Sequence, residues 1–214
     1  MTRYTDRGLP VRTPAMKLAR GTVRTAAAAL GGLMLLGVTS ALAVSLLLPP
    51  GGVLATPPTT AATEPDLPGV VVHDTLVPFT IKTQGGAVLC AGYLQDRVVR
   101  STKSGQFHFY YRIRNTRGPG AIGRMVTASF ATTALRVAYR TDGLGMVPPR
   151  IASRSIVPGA LVTFELTDPP LSCAQHQESR FILIKTSVTA FHPGGATRIF
   201  ATTGDEAAVP TVQP

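Results

Sequence analysis

In Gln106–Asn115 (QFHFYYRIRN), Phe107, Phe109, Tyr111 and Ile113 alternate without a break with His108, Tyr110, Arg112 and Arg114. An amphipathic helix needs apolar residues three and four apart, so this run folds as a β-strand with one buried and one outward face. Ala134–Arg140 repeats the pattern, with Leu135, Val137 and Tyr139 opposite Arg136 and Arg140. Ala160–Leu166 sets Val162, Phe164 and Leu166 against Thr163 and Glu165. Arg180–Ala190 (RFILIKTSVTA) is continuously apolar and β-branched at its start, as a central strand buried on both faces requires.

Weaker strands are expected at Pro78–Lys82, Ala87–Tyr93, Asp96–Arg100, Ile122–Phe130 and Thr197–Ala201. Turn residues separate them, among them Gln84-Gly85-Gly86, Lys103-Ser104-Gly105, Gly118-Pro119-Gly120, Thr141-Asp142-Gly143 and Pro193-Gly194-Gly195. Around nine short strands with no amphipathic helix among them predict an all-β fold, a two-sheet antiparallel β-sandwich of immunoglobulin-like or jelly-roll-like type. A flattened barrel is the alternative.

The amino end obeys other rules. Met1–Thr25 carries Arg3, Arg7, Arg12, Lys17, Arg20 and Arg24 against Asp6, and Ala26–Leu48 comes next as 23 residues without a charge. A basic flank before an apolar helix keeps the amino terminus in the cytoplasm and exports the carboxy-terminal remainder of the chain. The run suits either a cleaved signal peptide or a retained signal anchor. Small residues stand at signal-peptidase positions in Val53-Leu54-Ala55 and again in Ala41-Leu42-Ala43. The expected organisation is a basic cytoplasmic segment (1–25), a signal peptide or signal-anchor helix (26–55), a Pro/Thr-rich linker (56–69), a β-sandwich domain (70–203) and a disordered tail (204–214).

Both cysteines, Cys90 and Cys173, fall in the exported part, where a lone pair oxidises, so a disulfide is expected between them. Of 214 residues, 44% are apolar and 15% charged, which excludes a disordered chain and supports one ordinary core.

Catalytic signatures are absent: there is no Gly-x-Ser-x-Gly elbow, no His-Glu-x-x-His and no phosphate loop. His108 reads as a solvent-facing strand residue, His192 as a turn residue and His176 as part of a polar loop. Asp96, Glu165 and Asp168 are the carboxylates available to a glycan-cleaving site. Neither a metal site nor a cofactor is expected.

From Thr56 onward, 15 Lys and Arg face 10 Asp and Glu. Arg112, Arg114, Arg136 and Arg140 leave on the non-core faces of two strong strands. If those strands lie close in one sheet, they form an arginine face able to hold an anionic envelope polymer or lipid headgroups. The exported address argues against nucleic acid. A membrane contact would come through the amino-terminal helix if it is uncleaved.

Taken in order, Ser104–Asn115, Ile122-Gly123-Arg124, Tyr139–Gly145, Ser153-Arg154-Ser155, Val162–Leu166 and Ser179–Phe191 resemble a group of exported bacterial β-sandwich proteins, many of which carry a PEP-type carboxy-terminal sorting tail. The resemblance covers roughly Phe79–Phe200. It implies a fold and an envelope address and brings no catalytic residues. This chain departs from the group in its cysteine pair and in lacking the sorting helix and basic stop. The function expected from the sequence is a non-catalytic envelope binding or structural module, secreted, periplasmic or membrane-anchored. The alternative is a secreted hydrolase acting on cell-surface glycans.

Overall fold

The computed structural model describes residues 44–131, 133–156 and 158–214. The basic segment and most of the apolar run expected as a signal or anchor helix lie outside the described residues. Among the described residues there is no helix, and so none long and apolar enough to cross a membrane.

Fourteen strands are described: β1 (Leu46–Leu47), β2 (Val53–Ala55), β3 (Pro58–Thr59), β4 (Gly69–Lys82), β5 (Val88–Ser101), β6 (Phe107–Arg117), β7 (Ala121–Thr127), β8 (Leu135–Arg140), β9 (Ile151–Arg154), β10 (Val162–Glu165), β11 (Leu171–Ser172), β12 (Ile182–Thr186), β13 (His192–Ala201) and β14 (Glu206–Gln213). They form two seven-stranded sheets. The first runs β1-β8-β12-β6-β5-β4 with β3 beside β8, and the second runs β14-β13-β7-β10-β9-β2 with β11 beside β7. Every pairing is antiparallel except β3 with β8.

The alternation seen in the sequence decides which side chains meet. Phe109, Tyr111 and Ile113 of β6, Leu94 and Val98 of β5, Val137 of β8 and Ile182 and Ile184 of β12 form the inner face of the first sheet. They pack against Met125, Phe164, Ile199 and Val209 of the second. The inner faces thus give one sandwich core, the arrangement that period-two patterning dictates.

The chain crosses from the first sheet to the second at Gly118-Pro119-Gly120. Gly118 has φ +123°, and a Cβ there would stand 2.4 Å from the Leu89 carbonyl oxygen, so this crossing requires glycine. Cys90 of β5 and Cys173, just after β11, join the two sheets through a formed disulfide, both residues fully buried.

Several boundaries differ from the sequence expectation. The stretch expected as a linker is docked: β3 pairs with β8, Leu67 is 1% exposed, and Glu64 is 4% exposed. Glu64 accepts hydrogen bonds from Ser45 N, Ser45 Oγ and Thr59 Oγ1, and Lys185 Nζ lies 3.3 Å from its carboxylate. Burial opposes its ionisation, but these bonds outweigh that and hold its pKa below the usual carboxylate range.

The tail expected to be disordered is strand β14, paired along its length with β13, with Val209 and Val212 in the core. Pro193-Gly194-Gly195, expected as a turn, is a bulge inside β13, and His192 opens that strand. The two candidates Ala87–Tyr93 and Asp96–Arg100 are one continuous strand, β5.

Candidate anion-binding face

The outward positions of the first sheet form a second layer of chemistry. Register places Ala138, Leu183 and Tyr110 side by side across β8, β12 and β6, with Arg97 of β5 and Asp74 of β4 continuing the row. Leu67 folds over this face and joins Val99, Tyr110, Ala138, Phe181 and Leu183 in a small apolar cluster. The docked segment therefore buries the middle of a face that strand patterning alone leaves open.

At the rim of that cluster lies a concavity of about 260 Å³, with Arg97, Arg140, Tyr110 and Phe181 among its lining residues. Arg97 places its guanidinium carbon 5.0 Å from the Phe181 ring centroid, and Arg112 places its own at 5.5 Å. Cation–π attraction draws both groups to the one aromatic ring. The Tyr110 ring meets Phe181 edge to face at 6.2 Å.

Each guanidinium already holds a carboxylate. Arg97 pairs with Asp74 at 2.6 Å, and Arg112 pairs with Glu178. Arg140 binds Asp142 in bidentate fashion through Nε at 2.6 Å and Nη2 at 2.7 Å, leaving Nη1 outside that pair. Burial works against the Arg140 cation, but Asp142, together with Tyr110, outweighs it and raises the pKa. The Arg140 bonds hold the Asp142 carboxyl below its usual range. Burial pushes the Tyr110 hydroxyl up to about 12, so it stays protonated at any physiological pH. Among the described residues Arg97 Nε is buried without a hydrogen-bond partner, whereas the Tyr110 hydroxyl lies against the Arg140 guanidinium, which works to lower its pKa. A concavity lined by two guanidinium groups suits a ligand that brings acceptors.

The four arginines singled out in the sequence do leave on one face of one sheet, because β6 and β8 flank β12. They do not form an open patch of uncancelled charge. Arg112 is 4% exposed and tied to Glu178, and burial lowers its pKa. Arg114 donates to Gln95, and Arg136 donates through Nε and Nη2 to the Ser45 carbonyl oxygen. Only Arg140 lines the concavity, together with Arg97. Asp74, Asp142 and Glu178 supply the counter-charges to Arg97, Arg140 and Arg112. Tyr110 and Phe181 escaped sequence reasoning, although an aromatic among the polar members of an alternating strand is a usable signal.

The remaining candidates are scattered. His108 faces outward but is fully buried, 3.5 Å from Asp66, which corrects its expected solvent exposure. Its burial lowers its pKa, against the opposing pull of Asp66. His176 Nδ1 lies 2.8 Å from the Thr116 carbonyl oxygen. Asp96 is inside the sandwich, 1% exposed, accepting from Val212 N and 3.5 Å from His73 Nε2. Glu165 faces outward on the other sheet, opposite Arg124 and Ile151, and Asp168 pairs with Arg150 at the surface. Asp96 and Glu165 thus point into different compartments and cannot flank one glycosidic bond. Among the described residues no three His, Cys, Asp or Glu side chains are grouped to hold a metal ion.

No family model, curated protein or solved structure matches the chain.

Proposed function

We propose that the chain is an exported, non-catalytic module of the bacterial cell envelope that holds acidic groups of an envelope polymer on the outer face of its first sheet. The concavity lined by Arg97, Arg140, Tyr110 and Phe181, with the Arg97 guanidinium seated over the Phe181 ring, carries this reading. Export is supported by the basic flank and apolar run of the amino end, and by a buried disulfide of the kind that persists in oxidising compartments. It also accords with the resemblance to exported envelope sandwiches.

The three guanidinium–carboxylate pairs cancel in formal charge. Recognition then depends on directed donors and an aromatic floor rather than on a broad positive field. One acidic group of a polymer fits such a site at a time.

An Arg97→Gln, Arg140→Gln double variant should elute at least about tenfold earlier in salt-normalised retention on immobilised polygalacturonate, one lost charge-assisted bond being worth roughly 1.5–3 kcal/mol. Arg136→Gln, whose partner is the Ser45 backbone, should elute like the parent. Retention of the parent should fall as salt rises, because partly exposed charges are screened over about 8–10 Å. Equal retention of parent and double variant would refute the site. Binding to anionic phospholipid vesicles in place of the polymer would shift the partner to headgroups.

A further inference from the structure

We propose that export leads to cleavage between Ala43 and Val44, so that the mature protein begins at Val44. The proposal rests on the export reading and concerns where the chain is cut.

The sequence offers two peptidase sites, and the fold distinguishes them. The chain is committed to the sandwich from Ser45 onward. Ser45 is fully buried, and its N–H and hydroxyl donate to Glu64. Its carbonyl oxygen accepts from Arg136. Leu46 and Leu47 pair with Val137 and Arg136, and Leu48 is fully buried in the core, its carbonyl oxygen accepting from Arg154. Leu54 pairs with Ala152, and Val53–Ala55 forms the edge of the second sheet.

A cut after Ala55 would remove strands from both sheets and the Leu48 side chain from the core. It would also leave Glu64, Arg136 and Arg154 short of partners inside the protein. A cut after Ala43 removes none of these.

The same residues bear on the anchor alternative. The uncharged run is 23 residues long in the sequence, but Ser45–Leu48 belong to the folded domain. What remains before Val44 is Ala26–Ala43, 18 residues that include Gly31, Gly32, Gly37, Thr39 and Ser40. That is at the short end for crossing a bilayer, where roughly 20 residues are needed. Within it, Ala26–Val38 matches the 7–15 apolar residues of a cleaved signal, and Ser40-Ala41-Leu42-Ala43 supplies the small residues of its cleavage region.

In the cleavage, water adds across the Ala43–Val44 amide under a signal peptidase of the secreting cell. The released segment keeps the Ala43 carboxylate, and Val44 acquires an α-ammonium group. Val44 lines a surface concavity with Glu64 and Asp66, alongside Lys103, Arg136 and Lys185, so the new terminus emerges at the surface.

The test is to express the full chain in a bacterium, separate cytoplasm from envelope and medium, and measure intact masses. The expected species outside the cytoplasm has the mass of residues 44–214. Ala43→Phe should block processing and accumulate precursor in the membrane, whereas Ala55→Phe should leave the mass pattern unchanged apart from the substitution. Exported protein starting at Met1 would overturn the cut in favour of the anchor, and exported protein starting at Thr56 would overturn it in favour of the later site. Full-length protein confined to the cytoplasm would overturn the export reading itself.

Discussion

Replacing both cysteines, as Cys90→Ala with Cys173→Ala, should lower the unfolding free energy by about 2–5 kcal/mol, the usual loss for a native bridge. The bridge spans 83 positions, and loop-closure entropy for that length sets an upper figure of about 4–5 kcal/mol. Alanine is the better replacement because both sulfurs lie in the apolar core, where a serine hydroxyl would need a partner. With a urea slope of about 2 kcal/mol per molar, the middle of the usual range, the midpoint should fall by roughly 1–2.5 M. Tyrosine fluorescence can track the transition, since the chain has no tryptophan. Coincident midpoints for the oxidised parent and the variant would show that the bridge contributes nothing.

Arg154→Ala should cost at least about 3 kcal/mol, the second large effect. Arg154 is 6% exposed and none of its bonds goes to a carboxylate. Its Nε donates to Gly159 O at 2.7 Å, Nη1 to Leu48 O at 3.2 Å, and Nη2 to Phe130 O at 2.5 Å and Thr133 O at 2.9 Å. One planar guanidinium thus ties the amino-terminal segment, the loop after β7 and the turn before β10 to β9. Removal orphans several buried carbonyls, each costing about 1–3 kcal/mol. Arg154→Lys should recover only part of the loss, because three donors on one nitrogen cannot span the same fork. A change within about 1 kcal/mol for Arg154→Ala, by urea or thermal unfolding, would contradict this role.

Strands that bury one face in the core were legible because their side chains alternate. β6, β8 and β10 fall within a few residues of Gln106–Asn115, Ala134–Arg140 and Ala160–Leu166. The continuous Ile182-Leu183-Ile184 was legible as a strand buried on both faces, and all three residues are fully buried. Edge elements were not legible, since an edge strand has fewer neighbours to impose a pattern. The first half of β4 is exposed at Val70, Val71 and Val72, and β14 carries Pro210, tolerated because β14 pairs on one side only.

The docked segment misled for a different reason. Its proline and threonine content suits an extended chain, and an extended chain can also lie against a sheet. Glu64 and Leu67 decide between the two through partners distant in sequence or across the sheet, and no local signal reports them. For the candidate site, the arginines and their common outward direction were legible. The pairing of Arg112 with Glu178 and of Arg97 with Asp74 was not, because it depends on register and on loops that return to the face.

The most direct test of the central claim is an amide chemical-shift titration of the exported protein with polygalacturonate at low salt. Shifts should concentrate at Arg97, Tyr110, Gly143 and Phe181 and fade as salt is added. Shifts confined to the outer face of the other sheet, around Ala128, Ala196 and Phe200, or no shifts at all, would contradict binding at the arginine-lined concavity.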